Sequence, residues 1–170
     1  HWNSKIWRSG LIELISFIDK NLCLVGITGT NGKSTTSQMI KDVINNSKIK
    51  SEVVGNIGVP FTDVNIDTKT HLIVEASSYQ LERIEKVNFN IAVLLNIYND
   101  HLERHKNISK YAEAKVKLIC DQEKNKLSLV EKNNVIINKQ IKKQKINSRI
   151  IRLTYNKANY FKKKIHNKYL

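Results

Sequence analysis

The side chains best suited to phosphate chemistry lie together in Val25-Gly26-Ile27-Thr28-Gly29-Thr30-Asn31-Gly32-Lys33-Ser34-Thr35. An apolar run here enters a glycine turn that closes on Gly-Lys-Ser, the arrangement of a strand, a phosphate-binding loop and a helix. Gly29 and Gly32 permit a tight turn, so that successive backbone N–H groups and a helix N-terminus can surround an anion. Lys33 supplies a point charge for the outer phosphates, and Ser34 a hydroxyl for the accompanying Mg²⁺. The longer nucleotide-loop pattern has a glycine five residues before Gly32; Ile27 stands there, and the match is to a shorter Gly-x-x-Gly-Lys-Ser form. A Gly-rich strand-to-helix turn is also ordinary α/β punctuation, and the Lys-Ser pair in register is what favours phosphate.

Three further groups could act with this loop. Leu72 to Val74 reads as a strand ending at Glu75, and ligands of open α/β sheets gather beyond the carboxyl ends of strands. Alone, a strand-end glutamate facing water is the simpler reading. Ile91 to Leu95 reads as another strand, followed by Asn96 and then Asp100-His101, again on the ligand side. Lys115 falls within the apolar stripe Tyr111, Ala114, Leu118, Ile119 of a helix predicted over Ser109 to Ile119. An inward lysine is costly unless its charge is paired or removed.

The elements that must position these groups alternate along the chain. Leu11, Ile12, Leu14, Ile15 and Ile18 predict a helix ahead of the first strand, with Trp2 and Trp7 preceding it. The first strand is Leu22 to Ile27, and Met39, Ile40, Val43 and Ile44 recur at helical spacing after the loop. Ser51 to Val54 reads as a short strand entering the turn Gly55-Asn56-Ile57-Gly58. The helix beginning at Ser109 has that serine as its cap, and Glu113 and Lys117 form an i, i+4 pair on its outer face. Lys126 to Val130, Val135 to Asn138 and Arg149 to Thr154 read as short strands between lysine-rich loops. Strands alternating with helices predict an α/β fold with a mainly parallel, doubly wound sheet.

At 170 residues, with 41% hydrophobic residues, six glycines and one proline, the chain can bury a core and is neither disordered nor fibrous in composition. Cys23 and Cys120 are far apart and outside any metal-type spacing, which fits two reduced thiols in a cytosolic protein. No apolar stretch has the length of a membrane span, so no membrane partner is expected. The formal charge of +14 is uneven: residues 1–120 carry 15 basic and 12 acidic side chains, residues 121–170 carry 14 and 3. The lysine clusters at Lys139 to Lys145 and Lys162 to Lys164 are without the paired aromatics or arginines of a base-stacking surface, which speaks for a solvated lysine face over a nucleic-acid partner.

The order of these motifs resembles the central, ATP-binding domain of the Mur ligases. The loop Gly29-Thr30-Asn31-Gly32-Lys33-Ser34-Thr35, the turn Gly55-Asn56-Ile57-Gly58-Val59-Pro60, Glu75-Ala76-Ser77-Ser78-Tyr79-Gln80-Leu81-Glu82, and Asn96 through Asp100-His101-Leu102-Glu103-Arg104-His105 to Tyr111 and Ala114-Lys115 follow in the family's order. The Glu-x-Ser-Ser-aromatic-Gln-Leu-Glu segment resembles the member that adds D-glutamate. What the resemblance implies is an ATP-dependent, amide-forming ligase of peptidoglycan precursor synthesis in a bacterial cytoplasm. It would join D-glutamate to UDP-N-acetylmuramoyl-L-alanine through an acyl phosphate, with a monomeric parent enzyme.

Carried over by resemblance, residues 29–35 bind the nucleotide and Lys33 meets the β/γ-phosphates. Two Mg²⁺ ions are held by Ser34, Glu75, His101 and a carbamylated Lys115, with Lys33, His101 and Lys115 as the catalytic set. Asn56, Ser77 and Gln80 contact the muramoyl substrate. The resemblance further implies residues 1–20 as a linker helix from an N-terminal domain, 21–155 as a partial central domain, and 156–170 as a basic tail. A catalytically incompetent ATP-binding piece of the same family, or a related Mur or folylpolyglutamate-type ligase, are the alternatives left open by the motifs.

Overall fold

A computed structural model describes residues 22–59, 63–64, 70–84, 88–99, 105–120 and 122–154. Six strands form one all-parallel sheet: β1 (Cys23–Thr28), β2 (Ser51–Gly55), β3 (His71–Glu75), β4 (Ile91–Leu94), β5 (Leu127–Glu131) and β6 (Arg149–Leu153). Their spatial order is β2-β3-β1-β4-β5-β6. Among the described residues four helices accompany them: α1 (Lys33–Asn46), α2 (Ser78–Arg83), α3 (Ile108–Cys120) and α4 (Val135–Ile141). The alternation read from the sequence thus yields the expected parallel α/β sheet.

The central strands are apolar because both of their faces are covered. Val25, Ile27, Val53, Ile73 and Val93 point to one face, where Ile40 and Ile44 of α1 pack. Leu24, Val54, Leu72, Val74, Ala92 and Leu94 point to the other, against Leu81 of α2 and Tyr111, Ala112, Val116 and Ile119 of α3. Register ties the strand ends together: Ile27 stands opposite Glu75 across β1 and β3, and Thr28 opposite Leu94 across β1 and β4. The chain leaves β1 toward β2 on one side and leaves the adjacent β4 toward β5 on the other, which puts the topological switch point between the carboxyl ends of β1 and β4.

Several local expectations are corrected. Val135–Asn138 is helical, not a strand, because the Asn134 side chain accepts from Ile137 N and opens α4. The run is apolar without being buried throughout: Ile137 is fully enclosed, whereas Val135 is 78% exposed. A run of three apolar residues has no period of its own, and the cap decided the outcome. Helix α3 starts one residue before Ser109, and the capping oxygen belongs to Asn107, which accepts from Lys110 N. Lys117 lies on the outer face with Glu113, but its ammonium donates to the carbonyls of Glu82 and Ile84 at the end of α2. Of the α1 stripe, Ile40 and Ile44 pack on the sheet, while Met39 and Val43 are 63% and 67% exposed.

Both cysteines are free thiols. Among the described residues no helix is long and apolar enough to cross a membrane. The predicted N-terminal helix with Trp2 and Trp7, and the tail 156–170, lie outside the described residues.

Candidate active site

The turn after β1 is built by backbone geometry that its sequence permits. Gly32 has φ +81, the left-handed region, and stands just before the first helical residue, Lys33. No side chain caps α1 and its first turn carries no acidic group. The first N–H groups of this 14-residue helix therefore keep their donors for a ligand, with the positive end of the helix dipole behind them. Ser34 and Thr35 are exposed in that first turn.

Two lysines reach the same loop from different elements. Lys33 Nζ donates to the carbonyls of Gly29 and Thr30, each at 3.1 Å. Lys115, only 2% exposed on α3, donates to the same Gly29 carbonyl at 2.8 Å and reaches Thr28 Oγ1 at 3.5 Å. Its ammonium also lies 4.8 Å from the Tyr111 ring centroid, a cation–π position. The inward lysine expected from the helical stripe is thus a structural fact. The loop carbonyl and the aromatic face are what offset the burial of its charge.

Glu75 stands on the adjacent strand. It is 1% exposed, so the solvent-facing alternative for this residue is excluded. Asn56 Nδ2 donates to its Oε1 at 2.9 Å, and Asn56 N donates to its backbone carbonyl at 2.8 Å. Glu75 Oε2 is buried and has no hydrogen-bond partner among the described residues. A buried carboxylate oxygen without a donor is expensive, and a divalent cation is the group that satisfies it most fully. Among the described residues no three His, Cys, Asp or Glu side chains gather around a point. A single carboxylate beside a hydroxyl and a phosphate loop is the donor set suited to Mg²⁺, which takes one or two carboxylates and completes its shell with phosphate oxygens and water.

Ser77 and Gln80 serve the fold directly. Ser77 N donates to Gln80 Oε1 at 2.9 Å and Gln80 N to Ser77 Oγ at 3.3 Å, a capping box that starts α2. Asp100 and His101 lie outside the described residues.

The carboxyl ends of β1, β2 and β3 therefore bring together Gly29 to Thr35, Asn56 and Glu75, and Lys115 reaches the same loop from α3. This is the arrangement expected of a nucleotide site, and family membership can be asked of it. The Mur ligase middle domain model matches residues 27–169. The chain belongs to the Mur ligase middle-domain family. It is similar to the UDP-N-acetylmuramoylalanine–D-glutamate ligases of Clostridioides difficile, 40% identical over 123 residues, and of Rickettsia felis, 39% identical over 123 residues. These alignments cover 71% and 72% of the chain, which spans 27% of each relative's length. In structure it resembles the MurF ligase from Thermotoga maritima in complex with ADP, with a TM-score of 0.64 and 20% identity, over 88% of this chain and 37% of that one.

This Mur middle domain also braces the loop and its surroundings with contacts that sequence positions did not reveal. Thr30 is 8% exposed; its Oγ1 accepts from Tyr98 N at 3.0 Å and lies 3.2 Å from Tyr111 Oη. Thr28 Oγ1 donates to the Ala76 carbonyl at 2.7 Å, tying the end of β1 to the residue after Glu75. His105, 3% exposed, lies 3.0 Å from Ser78 Oγ through Nε2, stacks on Tyr79 and meets Tyr111 at a tilt. The one available signal was residue type: hydroxyls and an aromatic within the recognised motifs.

Proposed function

We propose that this chain is the central nucleotide-binding part of an ATP-dependent ligase that joins D-glutamate to UDP-N-acetylmuramoyl-L-alanine. Within it, residues 21–155 form the domain core and the flanking residues lead to the other parts of a longer enzyme. The observation that carries the reading is the meeting of Lys33 and Lys115 on one loop carbonyl, beside a buried carboxylate with a free oxygen. Support for the substrate comes from the D-glutamate ligases it resembles, and support for the nucleotide from the ADP held by the structural neighbour.

The chemistry sets the demands on these residues. A carboxylate oxygen of the muramoyl alanine attacks the γ-phosphorus of ATP, a new O–P bond forms, and the bond to the bridging oxygen breaks as ADP leaves. The D-glutamate amine then attacks the acyl carbon, loses a proton, and phosphate departs as the amide forms. Triphosphate and carboxylate repel, so the site must neutralise both while keeping them in line. Lys33 and the N–H groups of residues 32–35 take the phosphates. Ser34, Glu75, His101 and Lys115, the last as a carbamate, would hold two Mg²⁺ ions, which supply charge neutralisation at the reacting oxygens. Asn56 orients Glu75 and, being exposed, can also meet the muramoyl group, with Ser77 and Gln80 nearby in sequence.

The test is phosphate release by the full-length protein with ATP and Mg²⁺. Release is expected only when UDP-N-acetylmuramoyl-L-alanine and D-glutamate are both present. Release that is indifferent to D-glutamate, or that proceeds equally with L-glutamate, would contradict the substrate assignment.

A further inference from the structure

The phosphate loop is held from outside by one side chain with no assigned role. Asn96 is the second residue past β4 and is 8% exposed. Its Oδ1 accepts from Asn31 N at 2.9 Å and its Nδ2 donates to the Asn31 carbonyl at 3.1 Å. That reciprocal pair can form only one way round, which fixes the orientation of the carboxamide. The Asn96 carbonyl accepts from Thr30 N at 3.0 Å, and two residues on, Tyr98 N donates to Thr30 Oγ1 at 3.0 Å. Both backbone groups of Asn31 are thus bound by an amide that imitates a strand partner. The residue so held immediately precedes left-handed Gly32 and the lysine that starts α1.

We infer that Asn96 is a positioning residue for nucleotide binding, a role that rests on the nucleotide reading given above. A phosphate cradle made of backbone N–H groups binds well only if those groups already face one point, because ordering a loop on binding costs affinity. Asn31 is exposed, and the bonds from Asn96 preorganise the turn. Asparagine is specific to the role. Aspartate could accept from Asn31 N but would set a negative oxygen against the Asn31 carbonyl, close to the phosphates. Leucine could do neither. Asn96 also begins the segment that continues to Asp100 and His101, so one side chain ties the nucleotide loop to the stretch that would bring the second metal ligand.

The measurement is the affinity of the full-length protein for Mg·ADP, compared among wild type, Asn96→Ala and Asn96→Asp, with amide exchange at Asn31 followed in the wild type. Two lost hydrogen bonds predict a Kd raised about ten- to a hundred-fold in Asn96→Ala, and at least as much in Asn96→Asp. The Asn31 amide of the unmutated protein should exchange well below the rate of an unfolded chain. A merely structural role would lower the melting temperature and leave the Kd of the folded protein where it was; that outcome overturns the inference. So does an unprotected Asn31 amide, a result independent of whether either variant folds. A wild type that fails to bind Mg·ADP would instead overturn the nucleotide reading, and this inference with it.

Discussion

Lys33→Ala is expected to lower phosphate release by the full-length protein at least a hundred-fold while leaving its melting temperature within a few degrees of wild type. The two halves of that expectation have separate causes. The side chain is only partly buried, its bonds are to two loop carbonyls, and alanine is a better helix former than lysine at the start of α1. Little stability is therefore at stake. In the proposed reaction, by contrast, a carboxylate must approach a triphosphate that repels it. Removing a single preorganised donor from the developing charge costs about a hundred- to a thousand-fold in rate. The pair of measurements is a phosphate-release assay and a thermal melt. A variant that keeps a tenth of the wild-type rate would take Lys33 out of the chemistry.

Gly55→Ala is expected to have the opposite profile, a large loss of stability. Gly55 ends β2 with φ +105, a conformation L residues rarely adopt, and a Cβ there would run into the backbone carbonyl of Glu75 on the paired strand. Strain and collision together are expected to cost about 2–4 kcal/mol. In a chain of this size that lowers the melting temperature by roughly 4–16 °C. Because the atom struck belongs to Glu75, the damage extends to the site: the Asn56 bonds that set the carboxylate depend on the same register. A melting temperature within 2 °C of wild type would show that β2 and β3 are not held as closely as their pairing indicates.

What the sequence disclosed and what it concealed divide along sequence separation. The glycine turn between β1 and α1 was legible because Gly29, Gly32, Lys33 and Ser34 fall within a few residues of each other. Lys115 was legible because a helix repeats its faces, and the stripe from Tyr111 to Ile119 carried the lysine inward with it. The parallel sheet followed from alternation of element types, each short enough to judge locally. Val135–Asn138 was misread because three apolar residues followed by an asparagine suit a strand or a helix equally, and Asn134 settled the matter through a single bond from Ile137 N. The Ser109 cap was two residues out for a similar reason, since Asn107 is an equally good capping type.

The contacts that shape the site were not legible at all. Thr30 meets Tyr111 across 81 positions, Asn31 meets Asn96 across 65, and Ser78 meets His105 across 27. Nothing in a linear pattern announces which polar side chain will cross the sheet edge to a particular partner. The fate of Glu75 illustrates the same limit. Its place at a strand end was visible, but neither its burial nor the bond its Oε1 accepts from Asn56, in the turn after β2, could be read from the pattern.

The most direct test of a magnesium-bearing rim is crystallographic: the anomalous difference map of the full-length protein with Mn²⁺ and a non-hydrolysable ATP analogue. A peak about 2.1 Å from Glu75 Oε2 is predicted, with the analogue's phosphates over residues 29–35 and Lys33 on the outer ones. Manganese bound away from Glu75, or an analogue seated anywhere but the carboxyl ends of β1, β3 and β4, would contradict it.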